Sequence, residues 1–154
     1  MPDTTRLPSV REQRPLGYWL KHIDGALTET MGRLLAADGL DRRAWQVLNT
    51  MSYGPITVAA LDETMAAFLS ADEPTMRSQV ERFVERGWAG QTGDGRMTLT
   101  EEGRRVHERA SERAGALRTR MMECLSAEEY GVLMELLQRV ATHLDALAAG
   151  EPGQ

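Results

Sequence analysis

The chain has 154 residues, 42% of them hydrophobic and 27% charged, and a net charge of −5. That length suits one domain, or a core with helical extensions, and allows a real core to be buried. The acidic balance argues against a coat for nucleic acid, though not against a reader with a local basic surface. No apolar run approaches the ~20 residues that cross a bilayer, and the polar start has no apolar signal region, so a cytoplasmic protein is expected.

Only 5% of the residues are aromatic, and the prevalence of Ala, Leu, Met, Glu and Arg favours helices. Residues 1–14 lack periodicity and read as a mobile arm. From Pro15 to Ala37, Leu16, Leu20, Ile23, Leu27, Met31, Leu34 and Leu35 recur at helical steps. Gly39 ends that helix. Asp41 is placed to cap a second one carrying Ala44, Val47, Leu48 and Met51 inward. Gly54-Pro55 stops it. Thr57 caps a third helix, with Val58, Leu61, Met65 and Phe68 on one face.

A fourth helix is expected from about Pro74, favoured by acidic Asp72 and Glu73 at its positive end. Its apolar positions are Met76, Val80, Phe83 and Val84, and Gly87 ends it. Trp88 to Thr92 and Arg96 to Leu99 read as a hairpin around Gly93-Asp94-Gly95. Thr100 caps a fifth helix, with Glu101 and Glu102 in its first turn and Val106, Ala110, Ala114, Leu117, Met121 and Leu125 along its stripe. Ser126-Ala127-Glu128-Glu129 is a capping box opening a sixth, striped by Leu133, Leu136, Leu137, Val140, Leu144 and Leu147. Residues 149–154 read as a frayed tail.

Helix, tight hairpin and helix in that order make a winged helix, in which one helix enters a DNA groove and the hairpin tip touches the backbone or a neighbouring groove. The expected fold is mainly α with a small β-hairpin wing. A winged helix-turn-helix lobe over 41–100 is flanked by dimerisation helices over 15–40 and 101–148. The first and last helices carry more apolar surface than a small winged helix can cover. A symmetric homodimer would bury it, and the alternative is a monomer whose terminal helices cover the core.

This order of elements resembles the MarR family of regulators. The resemblance rests on Arg43-Ala44-Trp45-Gln46-Val47-Leu48, on Gly54-Pro55-Ile56-Thr57-Val58-Ala59-Ala60-Leu61, on Thr75 through Trp88, and on Leu99-Thr100-Glu101-Glu102-Gly103. It covers about residues 15 to 148. The segment between Leu61 and Thr75 is longer than the family's usual pattern and the wing tip is shorter. The family's Asp-Arg pair stands here as Asp94 and Arg96 with Gly95 between.

The resemblance implies a dimeric repressor of a pseudo-palindromic double-stranded DNA operator. Thr75, Arg77, Ser78 and Gln79 would sit in the major groove, where Arg can fork onto guanine and Gln onto adenine. Arg82 and Arg86 are assigned to phosphates. Arg96 would enter a minor groove, with Asp94 orienting it. An ordinary solvated face is the competing reading, since Glu81 and Glu85 dilute the charge. The family also implies a small, often aromatic or phenolic ligand between the dimer helices and the DNA-binding lobe. Tyr18, Trp19, His22, Trp45 and Met51 are its candidates here, with core packing competing for Trp45 and Met51.

A lone cysteine, Cys124, excludes an internal disulfide and reads as a buried structural thiol. His22, His107 and His143 share no metal-ligand spacing. No nucleophile-base arrangement, phosphate loop or paired catalytic carboxylates are found, so neither a cofactor nor enzymatic activity is expected. The alternative function is a winged-helix module that binds protein and not specific DNA.

Overall fold

The computed structural model describes residues 14–150. Residues 1–13 and 151–154, which hold nearly all of the expected arm and most of the expected tail, lie outside the described residues. Internal packing divides the chain between Ala114 and Gly115.

The first unit opens with α1, Leu16–Leu35, followed by a single 3-10 turn at Ala36–Asp38. Gly39 ends it with φ 71°, a left-handed conformation that glycine adopts without steric cost. In α2, Arg42–Met51, Asp41 accepts a hydrogen bond from the Ala44 amide at 2.7 Å. Ala44, Val47, Leu48 and Met51 are all buried, as their spacing requires. In α3, Val58–Thr64, Thr57 caps the Ala60 amide at 3.1 Å. Leu61 and Met65 are buried. Phe68, expected on the same face, is 37% exposed, because the helix gives way to a 3-10 turn at Ala66–Phe68 and the residue leaves the stripe. The Arg43 guanidinium covers its ring at 4.4 Å.

The fourth helix, α4, spans Arg77–Glu85. It therefore begins after the expected start at Pro74. Met76 occupies its cap position with no capping side chain of its own. Asp62 of α3 supplies the cap from afar, accepting from the Met76 amide and from the Thr75 hydroxyl, each at 2.7 Å. The far end of α4 closes on Gly87, φ 78°. The Trp88 amide donates to the Phe83 carbonyl at 2.8 Å and the Gly87 amide to the Val84 carbonyl at 3.0 Å. This paired closure is the Schellman arrangement. The Phe83 and Trp88 rings, 5.8 Å apart, supply its usual apolar contact.

Strands β1, Ala89–Gln91, and β2, Met97–Leu99, pair antiparallel with Ala89 opposite Leu99. Ile56, just before α3, adds a bridge to Met97 through two backbone hydrogen bonds of 2.8 and 2.9 Å. Thr100 then caps α5, Glu101–Met121, through the Gly103 amide at 3.1 Å. Its own amide donates to the Trp88 carbonyl at 2.9 Å. A Cβ at Gly103 would lie 2.0 Å from the Trp88 carbonyl oxygen, so this contact admits only glycine. Val106, Ala110 and Ala114 complete the core.

In the second unit, the 3-10 turn Met122–Cys124 leads to α6, Ala127–Gly150. The capping box forms as expected. The Ser126 amide donates to the Glu129 carboxylate at 2.9 Å, and the Glu129 amide to the Ser126 hydroxyl at 3.0 Å. The Ser126 backbone amide, and then its side chain, hold the Glu129 carboxyl below its usual range. None of α6 is buried. Cys124 is exposed, its thiol donating to the Met121 carbonyl at 3.3 Å. This corrects the expectation of a buried thiol: the turn after α5 points the side chain outward.

Candidate nucleic-acid interface

Helix α4 and the hairpin form one continuous piece of the first unit, joined through the closure at Gly87. Met76, Val80 and Phe83 hold α4 onto the core. Arg77, Ser78, Glu81, Arg82 and Glu85 are exposed. The outward face therefore carries two guanidinium groups and one hydroxyl, interrupted by two carboxylates.

Three of the expected groove or phosphate residues are placed otherwise. Gln79 is only 5% exposed, which corrects its assignment to the outer face. It flanks the Met76–Val80–Phe83 stripe on the side covered by the Gly39–Ala44 elbow. Together with Arg82, Phe83 and Arg86 it lines a cavity of about 280 Å3 against that elbow. Val84, flanking the stripe on the other side, is 45% exposed and not in the core as expected. The Thr75 hydroxyl donates to Asp62 and accepts from the Arg77 amide at 3.2 Å, so it shapes the helix start. Arg86 donates to the Gly39 carbonyl at 2.8 Å and lies 4.8 Å from the centre of the Trp88 ring. It clamps the end of α4 to the elbow.

The hairpin tip turns at Gly95, φ 82°. Thr92 and Arg96 close it, the Thr92 amide donating to the Arg96 carbonyl at 2.7 Å. Asp94 accepts from the Thr92 hydroxyl and holds the Arg96 Nε at 2.7 Å. The Thr92 hydrogen bond, with those from Arg96, lowers the Asp94 carboxyl pKa. Arg96 is thus steered by a charged neighbour while both side chains stay open to solvent.

The five candidate ligand residues fall into two groups. Tyr18, Trp19 and His22 cluster on exposed turns of α1. The Tyr18 ring stacks on His22 at 5.8 Å and meets Trp19 edge-on at 5.2 Å. Arg14 lies 4.1 Å over Tyr18. Met51 is fully buried and belongs to the core. Trp45 is 7% exposed and stacks on His107 at 5.4 Å. Among the described residues no group of His, Cys, Asp and Glu could hold a metal ion, and no helix is long and apolar enough to cross a membrane.

Local reading missed Asp62, which caps α4 across fourteen positions, and the long-range roles of Ile56, which extends the wing, and Gly39, which receives Arg86. All act through contacts distant in sequence and carry no local motif.

No family model matches the chain, and no curated protein matches it. Solved structures do. E. coli MarR in its reduced form superposes with a TM-score of 0.69 at 21% identity, covering 84% of this chain and 96% of its own. CouR from Rhodococcus jostii, bound to p-coumaroyl-CoA, gives 0.69 at 24% identity, covering 82% and 91%. A Mycobacterium tuberculosis MarR family protein in complex with DNA gives 0.64 at 23% identity, covering 82% and 98%.

Proposed function

Because the chain has the MarR-family fold, we propose that it is a dimeric transcriptional regulator. It presents α4 and the hairpin tip to double-stranded DNA, at a pseudo-palindromic operator, and acts as a repressor released by a small aromatic ligand. The observation that carries this reading is the pairing of two arginine-bearing elements in one lobe. Arg77, Ser78 and Arg82 face outward from α4, and Arg96 is held by Asp94 at the wing tip. Arg77 would fork onto a base edge in the major groove. Arg82 would neutralise a phosphate, and Arg96 would reach a minor groove. The DNA complex of the M. tuberculosis protein, which shares this fold, supports a DNA partner.

A second copy of the chain is the occupant proposed for the apolar faces of α1 and α6. Leu16, Trp19, Leu20 and Ile23 on α1 are exposed, as are Val132, Leu133, Leu136, Leu144 and Leu147 on α6. Burying one fully exposed side chain of this kind contributes roughly 1.5–3 kcal/mol, and these, about half exposed, would each add about half of that to association. Two lobes in a two-fold dimer would meet half-sites about one helical turn apart. Tyr18, Trp19 and His22 are the aromatic surface proposed to meet the ligand, and CouR's p-coumaroyl-CoA complex supports an aromatic class. The ligand would act by favouring one lobe spacing over another.

One observation favours a second reading, a protein-binding module. With Gln79, Thr75 and Arg86 engaged internally, Glu81 and Glu85 match the free cations of α4 in number. An anisotropy titration with the chain's own upstream DNA separates the two. Specific binding that weakens steeply with salt supports the regulator. An intact dimer with no specific binding at low salt supports the module.

A further inference from the structure

The two helices of the helix-turn-helix are joined by an unusually long segment, Met65 to Met76, containing only the 3-10 turn Ala66–Phe68. A short turn fixes the angle between such helices by covalent geometry; a long one does not. Both α3 and α4 pack against α2, but apolar packing alone tolerates rotation of a short helix about its axis. What ties the two helices directly is the Asp62 carboxylate. One oxygen accepts from the Met76 amide and the other from the Thr75 hydroxyl, each at 2.7 Å, and that hydroxyl in turn accepts from the Arg77 amide. The carboxylate meets one backbone amide and one hydroxyl at the positive end of α4, where charge-assisted bonds are strong and directional.

We propose that Asp62 is a positioning residue for DNA reading: its two-pronged contact with Thr75 and Met76 fixes where α4 starts and how it is rotated, and so where Arg77 and Ser78 point. This rests on the DNA-binding reading above. Asp62 itself touches no base. It acts through the first turn of α4, whose next two residues are the exposed Arg77 and Ser78.

The sign of the effect distinguishes positioning from charge. Asp62→Asn removes a negative charge beside a DNA-facing helix. By electrostatics alone this tightens binding to any polyanion. By positioning it weakens binding to the operator only, since one acceptor oxygen is lost and the first turn loosens. Thr75→Val removes the same prong from the other side with no change of charge.

The test uses the full chain and a duplex selected by it from a random pool, with a scrambled duplex as reference. Asp62→Asn and Thr75→Val are each expected to lower the operator-to-scrambled affinity ratio about ten-fold, the scale of one base-reading contact. Scrambled-duplex affinity stays level or rises slightly in Asp62→Asn. The double variant loses little more than either single one, because both break one contact. Amide exchange at Met76 to Gln79 speeds up in Asp62→Asn while exchange at Leu48 and Val106 holds. An unchanged ratio in both single variants overturns the proposal, as does unchanged exchange. If the wild-type chain selects no duplex, the DNA-binding reading fails instead, and the exchange arm still decides whether Asp62 sets the first turn of α4.

Discussion

The imidazole of His107 lies flat against the indole of Trp45, 12° from parallel, and its Nε2 meets the Asn49 side-chain oxygen at 3.0 Å. The pairing joins α5 to α2. With Asn49 oxygen as acceptor, Nε2 carries the proton of the neutral ring. Burial lowers the His107 pKa below its ordinary value of 6.5, against the opposing charge of Glu108. A lowered histidine pKa means that the unfolded chain binds the extra proton first. Its stabilising contribution is complete above about pH 6.5 and is lost as the pH falls through the lowered folded value. Thermal melts should therefore show a decline on acidification from pH 7 that is smaller in His107→Gln. At pH 7.5 the variant should lose roughly 1 kcal/mol with the aromatic stack. An acid slope identical to wild type would contradict this.

Gly103→Ala should be among the most damaging single-methyl additions in the chain. Its Cβ would overlap the Trp88 carbonyl oxygen, and backbone cannot swing aside as a side chain can. A cost of about 3 kcal/mol or more is expected, at the upper end for overpacking. Denaturant titration checks it, and a midpoint within error of wild type would contradict it.

At the wing, Arg96→Ala should weaken operator binding by several-fold and lower the slope of log K against log salt by about one. Melting should be unchanged, since Arg96 and its partner Asp94 are exposed. An unaltered affinity and slope would remove the wing from the interface.

Leu136→Glu with Leu144→Glu on α6 should give a monomer by light scattering at micromolar concentration and abolish tight operator binding. Charges placed on an apolar stripe cannot be buried between copies without a large desolvation cost. Helicity should persist, because neither residue is buried in the chain by itself.

Ser126→Ala should fray the first turn of α6. Losing an N-cap hydroxyl typically costs ~1 kcal/mol: the Glu129 amide loses its acceptor, while the Ser126 amide keeps its bond to the Glu129 carboxylate. Faster amide exchange at residues 127–130, with the first unit unaffected, is the expected outcome.

What the sequence carried best was local. Asp41, Thr57, Thr100 and Ser126 each cap the helix that follows them, because a capping side chain and its amide lie two or three residues apart. Gly87 was legible for the same reason. The face of α4 was harder. Gln79 and Val84 flank the apolar stripe on opposite sides, and polarity suggested the wrong choice for both. The Gly39–Ala44 elbow covers one side, while the described residues leave the other about half open, which is a fact of tertiary packing. The start of α4 was misplaced because Pro74 and two acidic residues make a plausible local signal. The cap that decides the matter comes from Asp62, in another helix. Thr75 and Arg86 looked free for DNA for the same reason, their partners at Asp62 and Gly39 being remote.

Ile56 has one further effect. Two strands of three residues each are too short to hold a hairpin rigid alone. The bridge from Ile56 to Met97 splices the wing to the residue that leads directly into Thr57 and α3. A push on the wing tip would thereby reach the base of α3, and through Asp62 the start of α4. The lobe would meet a duplex as a single stamp with fixed relief, and fit between DNA and protein would have to come from bending the DNA or moving whole lobes.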